Sequence, residues 1–60
     1  MPVVQIHLWE GRSKQQKAEL VRLITESFQK AADVSPEALH IIFNDVKKDN
    51  WGHKGKLASE

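Results

Sequence analysis

The feature that most constrains this chain is a seven-residue alternation with apolar side chains on both of its faces, in a sequence that has only one long helix to cover them. Val3-Val4-Gln5-Ile6-His7-Leu8-Trp9 has period two and is rich in β-branched residues, which predicts a strand. Val4, Ile6 and Leu8 point one way; Val3, Gln5, His7 and Trp9 point the other. Leu39-His40-Ile41-Ile42-Phe43-Asn44-Asp45-Val46 reads as a second strand, with Leu39, Ile41 and Phe43 on its more apolar face. Between them lies a helix from about Ser13 to Ala32. Ser13-Lys14-Gln15-Gln16 fits a capping box, and Leu20, Val21, Ile24, Phe28 and Ala31 recur at helical spacing. Strand, helix, strand predicts a parallel pair joined by a right-handed crossover. One helix can cover one sheet face. The other, carrying Val3, Trp9 and Ile42, is expected to pack against another chain.

The joints support this layout. Glu10-Gly11-Arg12 ends the first strand, with Gly11 free to take a turn conformation. Asp33-Val34-Ser35-Pro36 ends the helix, and Ser35-Pro36-Glu37 reads as a cap with proline in the first turn of a short helical piece. Asp49-Asn50 and Gly52 to Gly55 predict a loop and a small hairpin. The fold class is therefore α+β, with residues 1–60 expected to form one domain.

Size sharpens the need for a partner. A chain of 60 residues buries only about 60% of the surface its unfolded form exposes, and chains this small usually rely on disulfides, a metal or assembly. There is no cysteine, and the three histidines, His7, His40 and His53, lack metal-ligand spacing. Assembly is the remaining route. With 40% hydrophobic residues and a net charge of +1, the chain is neither disordered nor attracted by charge to nucleic acid or an anionic membrane. No apolar run approaches the roughly 20 residues of a membrane span. Lys47 to Lys56 mixes bases with an aromatic, but no nucleic-acid motif is present, so a solvated loop is expected. No signal peptide is recognisable, and a cytoplasmic location is expected.

Two residues invite chemistry. If the initiator methionine is removed, Pro2 presents a secondary amine at the start of a strand. An ordinary α-amino group titrates at about 7.7–8.0; an apolar setting or a nearby cation lowers that value and suits the group to proton transfer. Equally, proline is simply tolerated at a strand's first residue. Arg12 sits beside the free N–H groups of the helix start, where its fork can hold a carboxylate; it also reads as a solvated surface arginine.

Pro2, the stretch Gln5-Ile6-His7-Leu8, and Glu10-Gly11-Arg12-Ser13 followed by Gln16-Lys17 resemble the 4-oxalocrotonate tautomerase family over nearly the whole chain. The resemblance implies a βαβ fold with a C-terminal hairpin, a homohexamer, and a proline amine that shuttles a proton within an enol or dienol acid to give the keto acid, with no cofactor. It makes Pro2 the general base and Arg12 the carboxylate anchor. Trp51 falls where the family usually has a phenylalanine walling the pocket; it also suits an interface. His40 stands where well-studied members have a second arginine that polarises the substrate's keto group. A neutral histidine lacks that charge and fork, a protonated one restores the charge at lower pH, and a strand histidine without a catalytic part is equally compatible. Trp9 replaces a smaller aliphatic residue. The implied partners are a small unsaturated or 2-oxo carboxylate and further copies of the chain. Dehalogenation linked to hydration, iminium carbon–carbon chemistry, and a silent assembling scaffold are the competing functions.

Overall fold

The computed structural model describes residues 1–60. Its elements run β1 (Val3–Trp9), α1 (Lys14–Ala32), β2 (His40–Val46), a short 3-10 turn (Lys48–Asn50), β3 (Gly52–His53) and β4 (Lys56–Leu57). β1 and β2 pair in parallel, from Val3 opposite His40 to Trp9 opposite Val46. The ladder continues past both ends: His40 N–H donates to the Pro2 carbonyl at 3.1 Å, and Glu10 N–H donates to the Val46 carbonyl at 3.1 Å. β3 and β4 form an antiparallel hairpin. Its turn residues, Lys54 and Gly55, both have positive φ, 55° and 79°, the twist that matches a two-residue hairpin.

The helix ends as its sequence dictates. Ser13 Oγ accepts from Gln16 N–H at 3.1 Å, and Gln16 Oε1 accepts from Ser13 N–H at 2.9 Å, so the capping box is complete. Gly11, at φ 119°, makes the preceding turn. Asp33 stops the helix in the left-handed conformation, φ 55° and ψ 37°, with its N–H on the Phe28 carbonyl, a geometry that aspartate tolerates better than most residues. Ser13→Ala should cost about 1 kcal/mol of stability, read as a lower denaturant midpoint at fixed protein concentration, while Ser13→Asp should retain most of it.

The helical piece expected around Ser35 to Glu37 is instead one turn. Ala38 N–H reaches the Ser35 carbonyl at 3.0 Å, and Glu37 N–H donates to Ser35 Oγ at 3.3 Å. β2 begins at His40, which leaves no length for a second helical turn.

α1 covers one sheet face. Val4, Ile6, Leu8, Ile41 and Phe43 are half-buried beneath it, together with Ile24 and Phe28 from the helix. Lys17 ties the layers: its Nζ meets Asp45 Oδ2 at 2.6 Å and lies 5.9 Å from the Phe43 ring centroid. The helical apolar stripe is wider than the sheet beneath it, so Leu20, Val21 and Leu23 stay partly exposed. On the solvent side, Arg22 bridges Glu19 and Glu26, and Lys30 joins Glu26. The Arg22 hydrogen bonds hold the Glu19 carboxyl below its ordinary range. Such exposed pairs add little stability. No helix is long and apolar enough to cross a membrane.

Nothing covers the other face. Val3, Trp9 and Ile42 remain 48%, 38% and 45% exposed, and no residue of the chain is buried. The Cα radius of gyration is 14.3 Å, against about 10 Å for a compact chain of this length. The accessible area is 4855 Å², whereas a folded monomer of 6.9 kDa exposes about 4,000 Å². The excess is close to the roughly 800 Å² that each partner contributes to a standard protein interface. A single copy therefore lacks a core of its own.

Candidate active site

Each candidate residue is placed by an end of the parallel pair. Pro2 is half-buried just before β1, its carbonyl clamped by the His40 N–H. His40 is the first residue of β2 and is exposed. Alternation puts its side chain on the uncovered face, in line with Val3. Pro2 and His40 thus share the end of the sheet where both strands begin.

Arg12 and Trp51 lie at the other end. Arg12 follows the Gly11 turn and precedes the Ser13 cap; it is exposed and makes no hydrogen bond or ion pair within the chain. The first turn of α1 contains no acid, so the partial positive charge of the helix start adds to that of Arg12. Trp51 closes the 3-10 turn after β2. Its ring meets Trp9 edge-on, 5.9 Å between centroids at 76°. Its carbonyl accepts the Ala58 N–H at 2.7 Å, which fixes the hairpin against it.

The structure therefore brings the four residues together in pairs. The seven residues of β1 separate the pairs by about 23 Å at the rise of an extended strand, several times the length of a six-carbon acid. Within one chain Trp51 does not wall Pro2, and no single small ligand reaches both Pro2 and Arg12.

A contact that the sequence reading passed over lies beside Trp51. Lys48 Nζ sits 4.8 Å from the Trp9 ring centroid. The signal was the register: Trp9 pairs with Val46, so the residues just beyond β2 must pass the end of β1. Lysine and tryptophan 39 positions apart give no local sign of meeting.

A family model described as Tautomerase enzyme matches residues 2–60. The chain is 37% identical over 60 residues to a 2-hydroxymuconate tautomerase of Pseudomonas putida, covering 100% of this chain and 95% of that one. The crystal structure of YwhB, a homologue of 4-oxalocrotonate tautomerase, superposes with a TM-score of 0.93 at 30% identity, covering 98% of this chain and 97% of the other. A heterohexameric 4-oxalocrotonate tautomerase from Chloroflexus aurantiacus superposes with a TM-score of 0.90 at 33% identity, over 100% of this chain and 97% of the other.

Proposed function

Because this chain belongs to the tautomerase family, as an isomerase of the 4-oxalocrotonate tautomerase kind, we propose that it converts a 2-hydroxydienoate or related enol acid to its keto form, with the Pro2 amine as general base. The clamp between the Pro2 carbonyl and the His40 N–H carries this assignment, since it fixes the nitrogen at the open start of the sheet. Met1 is 86% exposed and accessible for removal. While Met1 is attached, the Pro2 nitrogen is an amide and has no basicity, so the active form is Met1-free.

In the reaction the Pro2 nitrogen accepts the proton of the enol hydroxyl. As the C–O bond becomes a carbonyl and the double bonds shift, the same proton passes from the ammonium to a carbon of the dienol. The amine ends neutral, and no redox partner is needed. Arg12 holds the substrate carboxylate bidentately, and His40 hydrogen-bonds the oxygen on which charge develops.

The separation of Pro2 from Arg12 leads to assembly. A site that uses both takes Pro2 from one chain and Arg12 with Trp51 from another. This agrees with the absent core of the single copy and with the hexameric state of the Chloroflexus aurantiacus relative. A homohexamer, with residues 1–60 of each chain forming one domain, is the proposed state.

Arg12→Ala should raise KM for the enol acid about tenfold, the loss of a charge-assisted contact, with a smaller change in kcat. An unchanged saturation curve removes Arg12 as the anchor.

A further inference from the structure

Four ion pairs form in this chain, and three of them lie within α1 at i,i+3 or i,i+4 spacing. The fourth crosses from helix to sheet. Lys17 Nζ donates to Asp45 Oδ2 at 2.6 Å, between residues 28 positions apart. The two side chains are 26% and 39% exposed, against 59% and 56% for Arg22 and Glu19, so water and salt screen this pair less. The Phe43 ring, 5.9 Å from the ammonium, steadies the same lysine.

What the pair holds is the turn that carries Arg12. Residues 10–13 join β1 to α1, and both ends of that segment are tied to the last two residues of β2. On entry, Glu10 N–H donates to the Val46 carbonyl at 3.1 Å. On exit, Lys17 N–H donates to the Ser13 carbonyl at 3.1 Å, while the Lys17 side chain grips Asp45. Between these anchors the turn is unsupported. Gly11, at φ 119°, is its joint, and a side chain there would meet nothing within 4 Å. A helix start that rocked on its sheet would carry the Arg12 guanidinium with it. A bidentate contact needs both N–H groups aligned with the carboxylate, and a misplacement of about 1 Å is enough to spoil a positioned contact.

We infer that Lys17 and Asp45 are positioning residues for substrate binding: their pair pins the start of α1 to the end of β2 and so sets where Arg12 meets the substrate carboxylate. Neither residue touches the substrate. The inference rests on Arg12 as the carboxylate anchor.

A mutant cycle on the assembled, Met1-free protein tests it, read as KM and kcat for a 2-hydroxydienoate. Lys17→Met should raise KM about fivefold, an effect of the size that residues away from a ligand have on its binding. Its kcat should stay within about twofold of the wild type, as for lost uniform binding. Asp45→Asn, which keeps the shape and removes the charge, should do the same. Lys17→Arg, which still offers a cation to Asp45, should recover most of the affinity. Lys30→Met, which removes a pair internal to the helix, should keep the wild-type KM. In an Arg12→Ala background, Lys17→Met should raise KM no further, because the pair acts through Arg12. A merely structural role would instead lower kcat, or add to the effect of Arg12→Ala. Unchanged KM in either Lys17→Met or Asp45→Asn, or full additivity with Arg12→Ala, would overturn the inference. Circular dichroism and sedimentation check assembly. If Lys17→Met fails to assemble, Asp45→Asn carries the same cycle; failure of both makes the pair structural and overturns its positioning role.

Failure of the anchor shows separately, as a wild-type KM in Arg12→Ala, and takes this role for the pair with it. Amide exchange at Ser13, whose N–H bonds Gln16 Oε1, needs no substrate and tells the two failures apart. It should quicken in Lys17→Met whether or not Arg12 is the anchor, and an unchanged rate would mean that the pair does not hold the turn.

Discussion

Met1-free Pro2→Ala is expected to ketonise a 2-hydroxydienoate about a hundredfold more slowly than the wild type, the low end of what positioned proton transfer contributes. Alanine still offers an amine, so the loss comes from two changes. The amine becomes primary, with a different basicity. It also loses the ring that keeps Pro2 half-buried and its nitrogen in one orientation. Equal kcat/KM for the two proteins would remove the proposed base. The same variant tests how sites are composed. If Pro2 and Arg12 of one site come from different chains, Pro2→Ala and Arg12→Ala, each impaired alone, should recover activity when unfolded together and co-assembled. Mixed assemblies then contain sites with an intact Pro2 from one variant and an intact Arg12 from the other. No recovery above the two separate rates would place both residues of a site in one chain, against the roughly 23 Å spanned by β1.

The second large effect concerns the uncovered sheet face. Wild-type protein should sediment as a multimer at micromolar concentration. Ile42→Asp should lose both assembly and cooperative folding, at a cost of about 3–5 kcal/mol per chain, since an unpaired carboxylate would be sealed among apolar groups. Val3, Trp9 and Ile42 expose much of their surface in one copy, so the aspartate is tolerated there only while that copy stays alone, and a lone copy has no buried residue to hold it folded. Gln29→Glu, on the exposed side of α1, should assemble normally. A folded, monomeric wild type would contradict the proposed state directly.

Where local chemistry decides the outcome, the sequence was readable. Alternation placed β1, the Ser13 and Gln16 side chains placed the start of α1, and Gly52 to Gly55 placed the hairpin. The face opposite the helix was legible too, because Val3, Trp9 and Ile42 exceed what one helix can cover. Ser35-Pro36-Glu37 misled, since a cap followed by proline starts a helix only if the chain has room to continue, and His40 already belongs to β2. The grouping of site residues was not legible. Pro2, Arg12, His40 and Trp51 were each identifiable as candidates, but their separation into two ends follows from the parallel register, and which chains supply which end is a property of assembly. Lys48 was hidden for a related reason: its contact with Trp9 exists only once β1 and β2 are aligned.

The carbonyl clamp at Pro2 has a practical consequence for handling the protein. An affinity tag or fusion partner placed ahead of residue 2 leaves the ladder bond to the Pro2 carbonyl in place while turning the nitrogen into a peptide link, so under the proposed mechanism the tagged protein should assemble but not turn over. At the other end of the described residues, Glu60 uses its side-chain Oε2 to accept the Leu57 N–H at 2.7 Å, so a purification handle placed after residue 60 keeps that bond and leaves the Pro2 secondary amine free.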